Sequence, residues 1–182
     1  METIENPVIG EKIVFLTTSK QCNGTKSLME VYLSPKGGNP PHYHKRFSES
    51  FKVIEGELTV QIGKNITILK QGDSATAPIS TVHQFYNTSG KYVRFTCELI
   101  PASEGFENVL RIGCGLAQDG KAANNGMPKS IRHMAILMNM GEGYFVGIFS
   151  MFEKIFRVLA RTAKSKKIER ELIEKYCNKN YS

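Results

Sequence analysis

No pair of cysteines in this chain is close enough to form a CxxC motif. Cys22, Cys97, Cys114 and Cys177 stand far apart, which argues against a zinc knuckle or a thioredoxin-type redox site. Long apolar runs are also missing. The longest strongly apolar stretch without a charge, Gly143 to Phe152, is far short of the ~20 residues of a membrane-spanning helix. The N-terminus, Met1 to Pro7, is acidic and has neither the basic start nor the apolar centre of a secretory leader. The expectation is therefore a cytoplasmic protein with reduced thiols. No serine sits in a G-x-S-x-G elbow, and Gly113-Cys114-Gly115 lacks the Lys and Ser/Thr of a phosphate loop. There is no internal repeat, low-complexity segment or fused helix-turn-helix.

Positive charge is scarce outside the tail. The net charge is +7, but residues 153–182 hold nine Lys and Arg against four Glu. The rest of the chain is close to neutral, so the basic pI gives no reason to expect a nucleic-acid partner. At 182 residues with 41% hydrophobic content, the chain is long enough for one domain with a real core.

What is present divides in two. Over residues 1–102 short apolar runs alternate with turn residues, as strands do. Candidate strands are Val8–Thr18, Lys26–Ser34, Ser48–Glu55, Glu57–Ile62, Ile66–Leu69, Asp73–Ala77, Val82–Tyr86 and Val93–Ile100. Alternation is clean where Leu58, Val60 and Ile62 oppose Thr59 and Gln61. Many short strands at even spacing predict an antiparallel sandwich or barrel. Over residues 103–182 the period becomes helical. One stripe carries Phe106, Val109, Leu110, Gly113 and Leu116. A polar loop from Asp119 to Pro128 precedes expected helices at Ile131–Met140, Tyr144–Ala163 and Ser165–Cys177. In the third helix Phe145, Ile148, Phe149, Phe152, Ile155, Phe156 and Leu159 share a face. That face is expected to pack on the barrel or across a homodimer. Peripheral membrane contact through the 144–163 helix is the less favoured reading.

Chemistry concentrates in the strand region. His42 and His44 are two apart, so on an extended strand both imidazoles face one side. Glu49 follows after a bend, and His83 arrives in another predicted strand. Three imidazoles and a carboxylate suit one divalent first-row metal ion: Fe, Mn, Ni, Co, Cu or Zn. Tyr43, between the two histidines, should point away. Phe51 and Val53 share parity with Glu49, and Phe85 with His83. Phe51 and Phe85 are candidate substrate-pocket residues, although plain core packing is the commoner fate of such side chains. His133 reads as a packing or surface residue, and Cys114 as a small buried one.

The punctuation around the ligands is specific. Gly37-Gly38-Asn39-Pro40-Pro41 leads into His42-Tyr43-His44, then Glu49 and Gly56. Gly72, Pro78, His83 and Asn87 form a second block. These blocks resemble the two signature motifs of the cupin superfamily, G-x5-H-x-H-x(3,4)-E-x6-G and G-x5-P-x-G-x2-H-x3-N. The chain departs at two places: Lys36 occupies the position of the opening Gly, and Ser80 that of the last Gly of the second motif. The resemblance, to small single-domain metal-binding cupins of the quercetinase-like kind, implies a jelly-roll β-barrel with the metal inside and a C-terminal helical extension. It also implies a small-molecule substrate or ligand. A dioxygenase is the favoured reading, with Glu49 as ligand or catalytic base. A cupin isomerase or a non-catalytic ligand-binding module is the alternative.

Overall fold

The computed structural model describes residues 1–146, 151 and 153–178. Ten strands come first: β1 (Thr3–Asn6), β2 (Glu11–Thr17), β3 (Ser27–Leu33), β4 (His42–His44), β5 (Ser48–Glu55), β6 (Glu57–Ile62), β7 (Asn65–Lys70), β8 (Ser74–Ala77), β9 (His83–Tyr86) and β10 (Val93–Ile100). Helices α1 (Glu104–Gln118) and α2 (Ile131–Met140) follow, then strand β11 (Gly143–Phe145) and helices α3 (Glu153–Ala160) and α4 (Ala163–Tyr176).

The strands form two antiparallel sheets. One has the order β1-β2-β3-β10-β5-β8, and the other β11-β4-β9-β6-β7. Each sheet turns an apolar face inward because its strands alternate. In β3, Ser27, Met29, Val31 and Leu33 are buried while the residues between them are not. The enclosed core holds Ile13, Phe15, Leu58, Val60 and Phe95 with their neighbours. This is the expected jelly-roll-like arrangement.

Gly56 joins β5 to β6 at φ +84°, and a Cβ there would lie 2.9 Å from the Tyr92 carbonyl oxygen. The turn therefore needs glycine twice over. The two departures from the motif keep the backbone that glycine would have adopted. Lys36 has φ +66° and Ser80 has φ +62°. Ser80 holds its place by donating its backbone N–H to the His44 carbonyl at 2.6 Å.

Helix α1 has two apolar faces. Phe106, Leu110 and Cys114 pack on the barrel core. Val109, Ile112 and Leu116 pack with Ile136, Leu137, Leu172 and Tyr176 of α2 and α4. A buried carboxylate fixes α1 to the barrel. Glu107 Oε1 accepts from the Ser19 N–H and from the Ser27 hydroxyl, both at 2.6 Å. Arg111 adds a two-pronged ion pair to Glu2, with both contacts at 2.8 Å.

Several expected boundaries move. The run Val8–Thr18 is broken by a turn, and the chain before it forms β1, pairing Asn6 with Glu11. The expected helix Tyr144–Ala163 is corrected more deeply. Gly143–Phe145 is a strand that pairs with β4, Tyr144 opposite Tyr43. Gly141 ends α2 as its C-cap, and β4 offers an edge that the following segment fills. Helix α3 covers Glu153–Ala160. Thr162 then starts α4, its side chain accepting from the Ser165 N–H. Ile148, Phe149 and Phe152 lie outside the described residues. Of the remaining stripe, Phe156 and Leu159 are half-buried and Ile155 is exposed. No helix among the described residues is long and apolar enough to cross a membrane.

Candidate metal centre

Short strands from both sheets bring the four candidate ligands together. β4 carries His42 and His44 on one face, β9 pairs His83 opposite His42, and β5 supplies Glu49 from the facing sheet. All four residues are buried, and one ligand atom from each lies within 4.8 Å of the others. Glu49 Oε2 is 2.9 Å from His83 Nε2, 3.5 Å from His44 Nε2 and 4.0 Å from His42 Nε2.

Backbone carbonyls orient two of the rings. His42 Nδ1 lies 2.9 Å from the Pro40 carbonyl and His83 Nδ1 lies 2.8 Å from that of Thr81. A carbonyl only accepts, so each Nδ1 carries a proton and each Nε2 faces the cluster. Burial lowers the His83 imidazole, but Glu49 Oε2, accepting from His83 Nε2 at 2.9 Å, outweighs it and raises it; a metal ion would take the place of that Nε2 proton. His44 is fixed by packing. Phe47 stacks on its ring at 4.3 Å and Phe106 meets it edge-on at 5.3 Å. Both His44 ring nitrogens are buried without a hydrogen-bond partner. Such an orphaned imidazole costs stability unless something occupies its lone pair, and a divalent ion among these donors would. The donor set therefore fits a metal ion.

The electrostatics agree. Burial pushes His42 down to about 4, so it is a neutral, ligand-ready imidazole at neutral pH. Burial alone would raise the Glu49 carboxyl, but the neighbouring His44 and His83 outweigh it and hold Glu49 well below the usual carboxylate range. Glu49 Oε1 also takes the Cys97 thiol at 3.0 Å. Burial and the Glu49 charge keep that thiol protonated.

A cavity of about 220 Å³ opens beside His42 and His44. Its walls are largely apolar and come from both halves of the chain. Phe106, Val109 and Leu110 of α1, and Met134, Leu137 and Met138 of α2, face the barrel across it. Phe51 and Phe85 do not line it. They pack in the barrel core, 5.6 Å apart and edge to face, which is the commoner of the two fates expected of them. Their strand parity placed them inside the barrel, but the inside is filled there. The cavity lies at the barrel mouth, where α1 and α2 form its roof. Tyr43 points outward as expected and stacks on Tyr144 at 4.9 Å. Cys114 is buried on the barrel side of α1. One acidic wall residue, Glu11, was not anticipated. Its signal in the sequence is an acid at an inward position of a strand, in register with Ile13 and Phe15.

Comparison with known proteins fits this geometry. Residues 29–98 match the family described as "Cupin domain". Residues 29–98 thus form a cupin domain. Among solved structures, KdgF from Halomonas sp. superposes with a TM-score of 0.50 at 15% identity, covering 57% of this chain and 89% of that one. An RmlC-like cupin from Shewanella frigidimarina NCIMB 400 gives 0.50 at 24% identity, covering 58% and 87%. These two share the cupin fold. A curated protein, oxidoreductase OpS7 of Beauveria bassiana, is 34% identical over 67 residues, which is 32% of this chain. This cupin spans 22% of the length of OpS7.

Proposed function

We propose that this cupin is a metal-dependent enzyme acting on a small oxygenated organic molecule, as a dioxygenase. The observation that carries the proposal is the convergence of three imidazoles and Glu49 at the edge of an apolar cavity. His42, His44, His83 and Glu49 would hold one divalent first-row ion, leaving coordination positions toward the cavity. When bound, such an ion supplies Lewis acidity and, for iron, electron transfer. The chain's own residues do the rest. The imidazoles are fixed by the Pro40 and Thr81 carbonyls and the Phe47 stack. Glu49, held ionised, is a ligand that can release and take a substrate proton. The apolar roof excludes water from the reacting atoms. The likeness to a protein named as an oxidoreductase supports redox chemistry over hydrolysis. Because the cavity draws on both α1 and the barrel, residues 1–102 and 103–182 act as one functional unit.

The test has two parts. Elemental analysis of protein purified without chelator should find about one metal per chain, lost in the His42→Ala/His44→Ala variant. Equal metal in both removes the site. Oxygen uptake by iron-, manganese- and nickel-loaded protein is then measured across flavonols, catechols and β-diketones. Tight stoichiometric binding without uptake would replace the dioxygenase with a ligand-binding module.

A further inference from the structure

Glu11 opens β2, on the same strand face as the buried Ile13 and Phe15. Across the sheet its register partners are Asn6 on β1 and Leu33 on β3, both buried. Cross-strand partners point to the same side, so the carboxyl is directed to the barrel interior, where the pattern calls for an apolar residue. It reaches the cavity that His42 and His44 also line. Among the described residues nothing hydrogen-bonds or ion-pairs with it. Burial first, and the charge of Glu49 second, push it up to about 7. Glu11 is half-buried, and its carboxyl faces the cavity with no protein partner to hold it.

We propose that Glu11 is a ligand-binding residue of the cavity, holding a hydroxyl group on a molecule whose remaining body is apolar. The proposal rests on reading the cavity as the substrate site, and it names the substrate class: a hydroxylated apolar ring or short-chain compound. The chemistry favours a hydroxyl over an ammonium. A hydroxyl donates to the carboxylate or accepts from the carboxyl, so it fits either form of Glu11. An ammonium would surrender its hydration in a largely apolar cavity where Glu11 is the one carboxylate of the lining and the other polar side chains are the neutral Asn6, Asn39 and Asn125 and the imidazoles of His42 and His44. The volume, below the ~300–1,000 Å³ of drug-sized sites, confines the ligand to one or two rings. Three methionines, Met127, Met134 and Met138, give the roof an adaptable surface for such a body.

The test uses two probes of one shape, 2-naphthol and 2-methylnaphthalene, titrated by calorimetry into the EDTA-treated full chain. Without metal, no ion competes for the hydroxyl. The wild type should prefer 2-naphthol by about tenfold or more, the range of a hydrogen bond to a charged group. Glu11→Leu should remove the preference while binding 2-methylnaphthalene as well or better. Glu11→Gln should keep most of it. Should the leucine variant not fold, Glu11→Ala gives the same comparison. Equal affinity for the two probes in the wild type, binding of neither, or a preference that survives Glu11→Leu overturns the proposal. Failure of the metal reading shows separately, as absent metal in elemental analysis.

Discussion

Removing the Glu107 side chain should loosen the joint between α1 and the barrel, and the cost can be worked from the contacts. Glu107 is 2% exposed and Ser27 is fully buried. Glu107→Ala strands the Ser27 hydroxyl and the Ser19 N–H, which both bond to Oε1. A buried donor left without an acceptor costs about 1–3 kcal/mol. Water entering the gap, and Glu2 still holding Arg111, place each donor in the lower half of that range, at about 1.5 kcal/mol, and the two together at about 3 kcal/mol. Glu107→Gln is the informative control. Its carbonyl oxygen can take the Oε1 position and accept from both donors, so it should lose only about 1 kcal/mol. Urea unfolding followed by circular dichroism reads the difference. With a slope of about 2 kcal/mol/M, the alanine midpoint should fall by about 1.5 M and the glutamine midpoint by about 0.5 M. A loss below 1 kcal/mol for alanine, or equal losses for both, would refute the view that this carboxylate seats the helix.

Three further outcomes are expected. His44→Phe should abolish metal uptake and leave stability in EDTA within about 1 kcal/mol of wild type, since losing ring nitrogens that lack a hydrogen-bond partner offsets losing the His44 contact that helps hold Glu49 ionised, and the stack on Phe47 is kept; a urea midpoint lower by more than about 0.5 M would contradict this. Lys36→Gly should raise stability by a few tenths to about 1 kcal/mol, because relief of the left-handed backbone exceeds the entropy glycine adds to the unfolded chain; the check is again the urea midpoint, and a fall would show that the Lys36 side chain has a role of its own. Asp119 is held down to about 2 by Lys175 and the Tyr176 hydroxyl. Its depressed value means that its stabilisation is present above the unfolded value of ~3.9 and is lost as pH falls toward about 2. The difference in urea midpoint between wild type and Asp119→Asn should therefore shrink over that acid range and stay constant above it.

The barrel was legible because strand alternation and turn residues are local signals. Leu58, Val60 and Ile62 announced their face without help from the rest of the chain. The clustering of His42, His44, Glu49 and His83 was legible because they keep a spacing that few other constraints would produce. Elements whose reason lies elsewhere in the fold were harder. Gly143–Phe145 forms a strand only because β4 has an edge to fill. β1 is four residues long and depends on pairing with β2. The cavity's position was hidden for the same reason. Parity puts Phe51 inside the barrel but cannot say that the interior is full there and that the open volume lies under α1 and α2. Glu11 went unnoticed because an acid near a strand start reads as a surface residue until its register is known.

The pairing of β11 with β4 makes the helical region an integral part of the half that carries the histidine cluster. β4 has three residues, two of them histidines of the cluster, and its neighbours are β9 and β11. A cut at Pro101 would therefore do more than remove a roof. It would leave the histidine-bearing strand as a bare sheet edge, free to recruit a strand from another molecule. In evolutionary terms the extension is not a detachable tail: Tyr144 and Tyr43, a hundred positions apart in the chain, should be inherited as a pair, and grafting this barrel onto another protein would have to bring residues 104–145 with it.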